Sequence, residues 1–502
     1  MGMKHPMIIQ GGMGIAVSNW VLARAVSKSG ELGVMSGTSL NSVIVRRLQD
    51  GDPGGHMRRA LAHFPDQSVS EEILKNYFIP DGRAPGTPYK RSPLFAMKSS
   101  PALLRLTVAS NFIEVWLAKE GHDGLVGVNL LEKIQLPNLS SLYGAMLAGV
   151  DYVLMGAGIP REIPGALDLL ALHQEASLKV YVEGALADDE FKTFFKPQEI
   201  FKLDFSKPLK RPEFLAIVSS ATLALSLSKK STGKVNGFII EHWTAGGHNA
   251  PPRGPMKLSD VGEPIYSERD EVDFAKFNEL GLPFWLAGSS ATPDKLNEAL
   301  KLGATGIQAG TAFAFSDESG IAPHLKQDVL NEILAGKVPT VFTDPLASPS
   351  GFPFKVVQKE KTLSQEVNYL ARPRKCDLGY LRTAYRQEDG KVGLRCAAEP
   401  IETFLKKGGK LEETKGRKCL CNGLFSAVDL GQEQESGYRE MEIMTAGDEI
   451  SNLARYIPAG QSSYSALHVI EFLKSKLDLK AVAKSAAVTP SGSSTFNPQA
   501  PL

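Results

Sequence analysis

The stretch GFIIEHWTAGGHNAPPRG, residues 237 to 254, joins a short apolar run to a glycine pair and a histidine. Phe238, Ile239 and Ile240 read as a strand covered on both faces, since such strands are continuously apolar. Gly246 and Gly247 follow it, and without a Cβ they let the backbone approach a flat or phosphorylated ligand. His248 then stands at the rim. Imidazole titrates near neutrality, so a histidine placed there can act as a base, an acid or a hydrogen-bond donor.

Working outward, seven further runs have the same character: Met7 to Gln10, Leu32 to Met35, Leu125 to Asn129, Tyr152 to Met155, Lys179 to Glu183, Pro283 to Ala287 and Thr305 to Ala309. Helical patterns lie between and after them, at Ser18 to Ser29, Leu139 to Ala148, Ile163 to Glu175, Pro212 to Ser228, Asp270 to Leu280, Pro293 to Leu302 and Pro323 to Ala335. Eight alternations of strand and helix predict an α/β fold, a (β/α)8 TIM barrel whose active site lies at the C-terminal ends of its strands. A doubly wound open sheet is the structural alternative, because periodicity does not show closure.

A chain of 502 residues exceeds one barrel of about 250 residues, so two structural parts are expected. The barrel is placed at residues 1–340, with a helical insertion at about 46–124 that has its own patterns at Glu71 to Tyr77 and Ala102 to Lys119. That interval is too long for an ordinary connection. A C-terminal extension is expected over 341–486. The Ser- and Pro-rich segment 487–502 is expected to be a disordered tail. Lys+Arg of 56 against Asp+Glu of 55 gives no electrostatic reason to expect a nucleic-acid partner. No apolar run approaches the roughly 18 residues of a membrane span, so a soluble, cytoplasmic protein without a membrane partner is expected. Oligomeric state stays open, a homo-oligomer included.

Glycine recurs where predicted strands end: Gly11, Gly12 and Gly14, then Gly246 and Gly247, then Gly288 with Ser289 and Ser290, then Gly310 with Thr311. A single glycine there is more often just a turn. Four such places converging on one barrel face, two of them after strands seven and eight, imply a phosphorylated cofactor. The spaced glycines and downstream acid of a dinucleotide fingerprint are missing, as are the phosphate-binding P-loop, the H-E-x-x-H zinc motif and the nucleophile elbow.

MIIQGGMG at residues 7–14, GVNLL at 127–131, TAGGHN at 244–249, LAGSSATP at 286–293 and IQAGTAF at 307–313 together resemble the nitronate monooxygenases. The resemblance covers roughly residues 7–317. It implies an FMN-dependent barrel that oxidises alkyl nitronates with molecular oxygen to a carbonyl compound and nitrite. The same flavin barrel includes enoyl-thioester reductases that use NAD(P)H, and TAGGHNAPPRG with the long insertion after strand two is similar to that branch, which is the alternative reading. The substrate is thus a small molecule, a nitronate or an enoyl thioester. Carried over residue by residue, the resemblance puts Gly11, Gly12 and Met13 against the flavin ring and Asn129 near its polar edge. Gly246, with Gly247, would lie by the cofactor, and Gly288, Ser289, Gln308, Gly310 and Thr311 around the ribityl phosphate. His248 matches the catalytic histidine. Glu241 stands where many relatives have glutamine, and an acid at a flavin edge would disfavour the anionic reduced flavin.

The four cysteines, Cys376, Cys396, Cys419 and Cys421, have the spacing C-x19-C-x22-C-x-C. They are too few for a disulfide scaffold. The set can enclose zinc or an iron–sulfur cluster, but the spacing matches neither a zinc ribbon nor a ferredoxin. Four buried thiols in a packed unit, or a redox-sensitive pair beside Lys415, Arg417 and Lys418, are the alternatives.

Overall fold

The computed structural model describes residues 5–477. Eight parallel strands close into one barrel: β1 (Ile8–Gln10), β2 (Leu32–Ser36), β3 (Val126–Leu131), β4 (Tyr152–Gly156), β5 (Glu213–Val218), β6 (Gly237–Glu241), β7 (Phe284–Ala287) and β8 (Gly306–Ala309). Each pairs with its successor, and β1 closes on β8 with Ile8 opposite Ile307 and Gln10 opposite Ala309. The open-sheet alternative is thereby excluded. Side chains alternate in and out along the strands. Ile9, Val34, Leu154, Leu215, Ile239 and Trp285 fill the barrel, while Ile8, Met35, Val128, Val153, Phe214 and Phe238 pack outward into the larger core. Trp285 is wholly buried and its Nε1 donates to the Pro6 carbonyl at 2.8 Å, so its one polar atom is satisfied.

The expected fifth strand is corrected. Lys179 to Glu183 lies outside the barrel, divided between Ala176–Lys179, antiparallel to Lys192–Phe195, and Val182–Glu183, which pairs with Thr383–Arg386. The true β5 is the first half of the segment expected to be a helix from Pro212. Only Ala221–Lys230 is helical there, started by Ser220, whose Oγ accepts from the Leu223 N–H at 3.2 Å.

The long helix Pro101–Lys119 packs against Trp20–Lys28, Asn138–Leu147 and β3, which is the position of the barrel's own helix after β2. The segment added to the barrel is therefore the part before it, with helices Leu40–Gln49, His56–Leu61 and Gln67–Tyr77. Beyond β8, the hairpins Thr340–Asp344/Phe354–Gln358 and Thr383–Arg386/Val392–Arg395 and several short helices lie over the barrel mouth. A buried ion pair, Arg372 with Glu440, links two distant segments of this region. Helix Ala466–Lys474 returns to pack on Trp20–Lys28 and Pro293–Lys301, the helices flanking the β8–β1 seam. The expected tail 487–502 lies outside the described residues. Among the described residues no helix is long and apolar enough to cross a membrane.

Candidate active site

One cleft lies at the C-terminal ends of the strands, where loop backbone and short polar side chains converge. His248, Gly11, Gly12, Met13, Asn129, Glu241, Gly246, Gly247, Gly288, Ser289, Gln308, Gly310 and Thr311 all line it. His242 does not; it sits on Trp243 with ring centroids 3.7 Å apart, and its Nδ1 lies 2.9 Å from Thr244 Oγ1.

The glycines serve different needs. A Cβ on Gly12 would stand 2.3 Å from the Asn129 Cβ, so this glycine permits packing between β1 and β3. A Cβ on Gly310 would meet only Met13, at 3.6 Å, and so would point into open cleft. Gly288 adopts a φ of +89°, a left-handed conformation that side chains resist, and Ser289 follows at +46°. Gly246 faces the C-terminal extension: a Cβ there would lie 2.8 Å from the backbone of Ala446 and Gly447. The Gly247 N–H donates to Thr445 Oγ1 at 2.9 Å, and the Gly447 N–H to Thr311 Oγ1 at 2.8 Å. Part of the glycine signal therefore belongs to docking of the extension rather than to a ligand.

His248 Nε2 is 2.7 Å from Ser348 Oγ, and its ring meets Phe354 edge-on at 4.8 Å. Desolvation pushes its pKa down to about 4, so the imidazole is neutral at pH 7. Glu241 ends β6 inside the cleft, and desolvation pushes its carboxyl up to about 8, which leaves it largely protonated at pH 7. A protonated carboxyl donates a hydrogen bond, so the expected repulsion of an anionic reduced flavin does not hold at that pH.

The residues present fit FMN. Among the described residues Gln308 Oε1 is a buried acceptor without a partner, and Ser39 Oγ is likewise buried and unpartnered. Such atoms need a donor from whatever fills the cleft, and an isoalloxazine N–H or ribityl hydroxyl supplies one. The short helix Thr311–Ala314 leaves the N–H groups of Thr311 and Ala312 without helical partners, beside the Gly288–Ser289 turn. Among the described residues no Lys or Arg lines the cleft, so backbone N–H groups and hydroxyls would hold a phosphate there.

Sequence reasoning missed the residues that the extension contributes. Tyr380, Thr445 and Glu449 line the cleft, and Cys421, a candidate metal ligand from its spacing, lines it too. The Tyr380 hydroxyl is bonded to Ser42 Oγ and Asn41 Oδ1, both at 2.7 Å, and Glu449 Oε1 accepts from the Ala291 N–H at 3.2 Å. For Tyr380, Thr445 and Glu449 the only sequence signal is the stretch TAG at 445–447, which echoes the TAGG at 244–247.

No protein-family model and no curated protein matches the chain. Solved structures do. FabK from Thermotoga maritima is 16% identical with a TM-score of 0.45, over 96% of this chain and 94% of that one. Nitroalkane oxidase from Streptomyces ansochromogenes is 13% identical with a TM-score of 0.42, over 97% and 98%. The enoyl reductase domain of MlnA from Bacillus amyloliquefaciens is 12% identical with a TM-score of 0.46, over 96% and 94%. Likeness at this level does not choose between their reactions.

Proposed function

We propose that the chain is an FMN-dependent oxidoreductase that reduces the double bond of an enoyl thioester with electrons from NAD(P)H. The observation that carries the flavin reading is the meeting of four glycine-bearing strand ends, the unpartnered Gln308 Oε1 and a neutral His248 in one cleft. When bound, FMN supplies hydride chemistry that no side chain can perform.

One observation favours the thioester over a nitronate. A second cavity, between residues 132–137 and the extension, shares Ile134, Tyr380 and Leu381 with the cleft. It has apolar walls, including Leu136, Val180 and Phe352, and an exposed cation at its rim, Lys133, whose Nζ lies 5.2 Å from the Phe352 ring. A long acyl chain on a phosphorylated carrier arm would use both, whereas a small alkyl nitronate needs neither. His248 bears on the chemistry rather than on that choice: with a pKa of about 4 it is poorly matched to taking a proton from carbon, and a nitronate, already an anion, needs no such base. A neutral imidazole can instead donate an N–H to a thioester carbonyl and stabilise charge developing on its oxygen. Ser348 orients the ring for that role.

Anaerobic titration of the flavin-loaded protein tests the reading. NADPH or NADH is expected to bleach the flavin and a crotonyl thioester to restore its colour. Bleaching by a nitronate alone, with none by either nicotinamide, would replace the reading with nitronate oxidation.

A further inference from the structure

The four cysteines come from separate places in the extension: the loop after helix Glu366–Ala371, the end of strand Val392–Arg395, and the start of helix Leu420–Ser426. All four nonetheless line one small cavity, and all are free thiols.

Their arrangement is not that of a single ion. A tetrahedral zinc site draws four sulfurs to about 2.3 Å from the metal, hence roughly 3.8 Å from one another. Among the described residues no three His, Cys, Asp or Glu side chains gather in that way. Thiols that surround a void without closing on a point suit a polynuclear centre, in which each sulfur binds a different iron around a core of iron and sulfide.

The surroundings offer donors for such a centre. Arg372 is 4% exposed and paired with Glu440, and its Nη1 has no partner among the described residues. Asn422 Nδ2 lies 3.6 Å from Cys419 Sγ and is fixed by Asp377 Oδ1 at 2.7 Å; Asp377, whose Oδ2 is unpartnered, also lines the cavity. Hydrogen bonds to sulfur are a principal means by which a protein holds and tunes such a centre.

We propose that Cys376, Cys396, Cys419 and Cys421 bind an iron–sulfur cluster in this cavity. Leu381, Leu420 and Cys421 also line the main cleft, so the cluster stands directly behind one wall of the proposed flavin site.

The test uses the full chain, purified and reconstituted without oxygen from ferrous iron and sulfide. Iron, acid-labile sulfide and zinc are then measured per chain, with flavin extracted and counted separately from the same sample. Matching iron and sulfide of about four each are expected, with a paramagnetic signal after dithionite reduction. Cys396→Ala and Cys419→Ala should each retain roughly a tenth or less of that iron. If those variants fail to fold, alkylation of the native protein decides: all four thiols should react after chelation and resist when loaded. One zinc per chain without sulfide, or iron below roughly a tenth of an equivalent after reconstitution, would overturn the proposal whatever the flavin content.

Discussion

Gly246→Ala tests how the extension closes the cleft. The added Cβ would stand 2.8 Å from both Ala446 C and Gly447 N, against an ordinary carbon–carbon contact of about 3.5–4.0 Å. Both neighbours are backbone, so the segment must move bodily. Overpacking of this kind costs about 1–3 kcal/mol. The same movement weakens the bonds from Gly247 N–H to Thr445 Oγ1, from Gly447 N–H to Thr311 Oγ1 and from Asp448 N–H to the Thr244 carbonyl, each worth about 1 kcal/mol. Relaxation spares part of this, and a net cost of roughly 2–4 kcal/mol follows. At 1.4 kcal/mol per factor of ten, the opened population rises by about 30- to 700-fold. Gly247→Ala is the control: with φ at +82° and nothing within 4 Å, it meets conformational strain of about 1–2 kcal/mol but no clash. Limited proteolysis within residues 445–448 reads the opened population directly. Equal cleavage rates for the two variants, or faster cleavage of Gly247→Ala, would refute the docking argument.

His248→Ala should keep its flavin and lose about a hundredfold in turnover, with His248→Gln losing less because an amide still donates; flavin content and steady-state rates check both. Because the folded pKa of His248 lies below its unfolded value of 6.5, the stability it contributes is lost as pH falls from about 6.5 to about 4. Thermal midpoints of His248→Gln should therefore fall less than those of the native chain over that window. Glu241 works in the opposite sense: its folded pKa, about 8, lies above its unfolded value of 4.5, so its contribution is full at low pH and is lost as pH rises between the two. Glu241→Gln should gain on the native chain from pH 5 to pH 8 and show no further gain above it; a pH-independent difference would contradict the buried, protonated acid. Gly310→Leu should fill the open cleft beside Met13 and release FMN, whereas Gly310→Ala, at 3.6 Å from the Met13 sulfur, should retain it; flavin content after gel filtration separates the two.

Seven of the eight barrel strands were legible because each is continuously apolar and ends in glycine or a polar turn. The eighth was misread for a physical reason. Val180 and Val182 are buried while Tyr181 is 71% exposed, so Lys179 to Glu183 alternates, which marks a half-exposed strand rather than one covered on both faces. The real strand, EFLAIV at 213–218, runs into Ser219, Ser220 and an apolar helix, and without a glycine between them the two merge into one helical pattern. The cleft residues contributed by the barrel could be found from strand ends. Those contributed by the extension could not, since nothing local in Tyr380, Thr445 or Glu449 shows that chain over a hundred residues away will lie beneath them. The cysteine spacing likewise showed clustering in sequence but not convergence on one cavity.

The most direct measurement is the absorption spectrum of the purified protein with FMN, taken anaerobically before and after NADPH or NADH. Bound flavin that a nicotinamide bleaches and a crotonyl thioester restores is the expected result. A protein that binds no FMN, or whose flavin only a nitronate reduces, would contradict it.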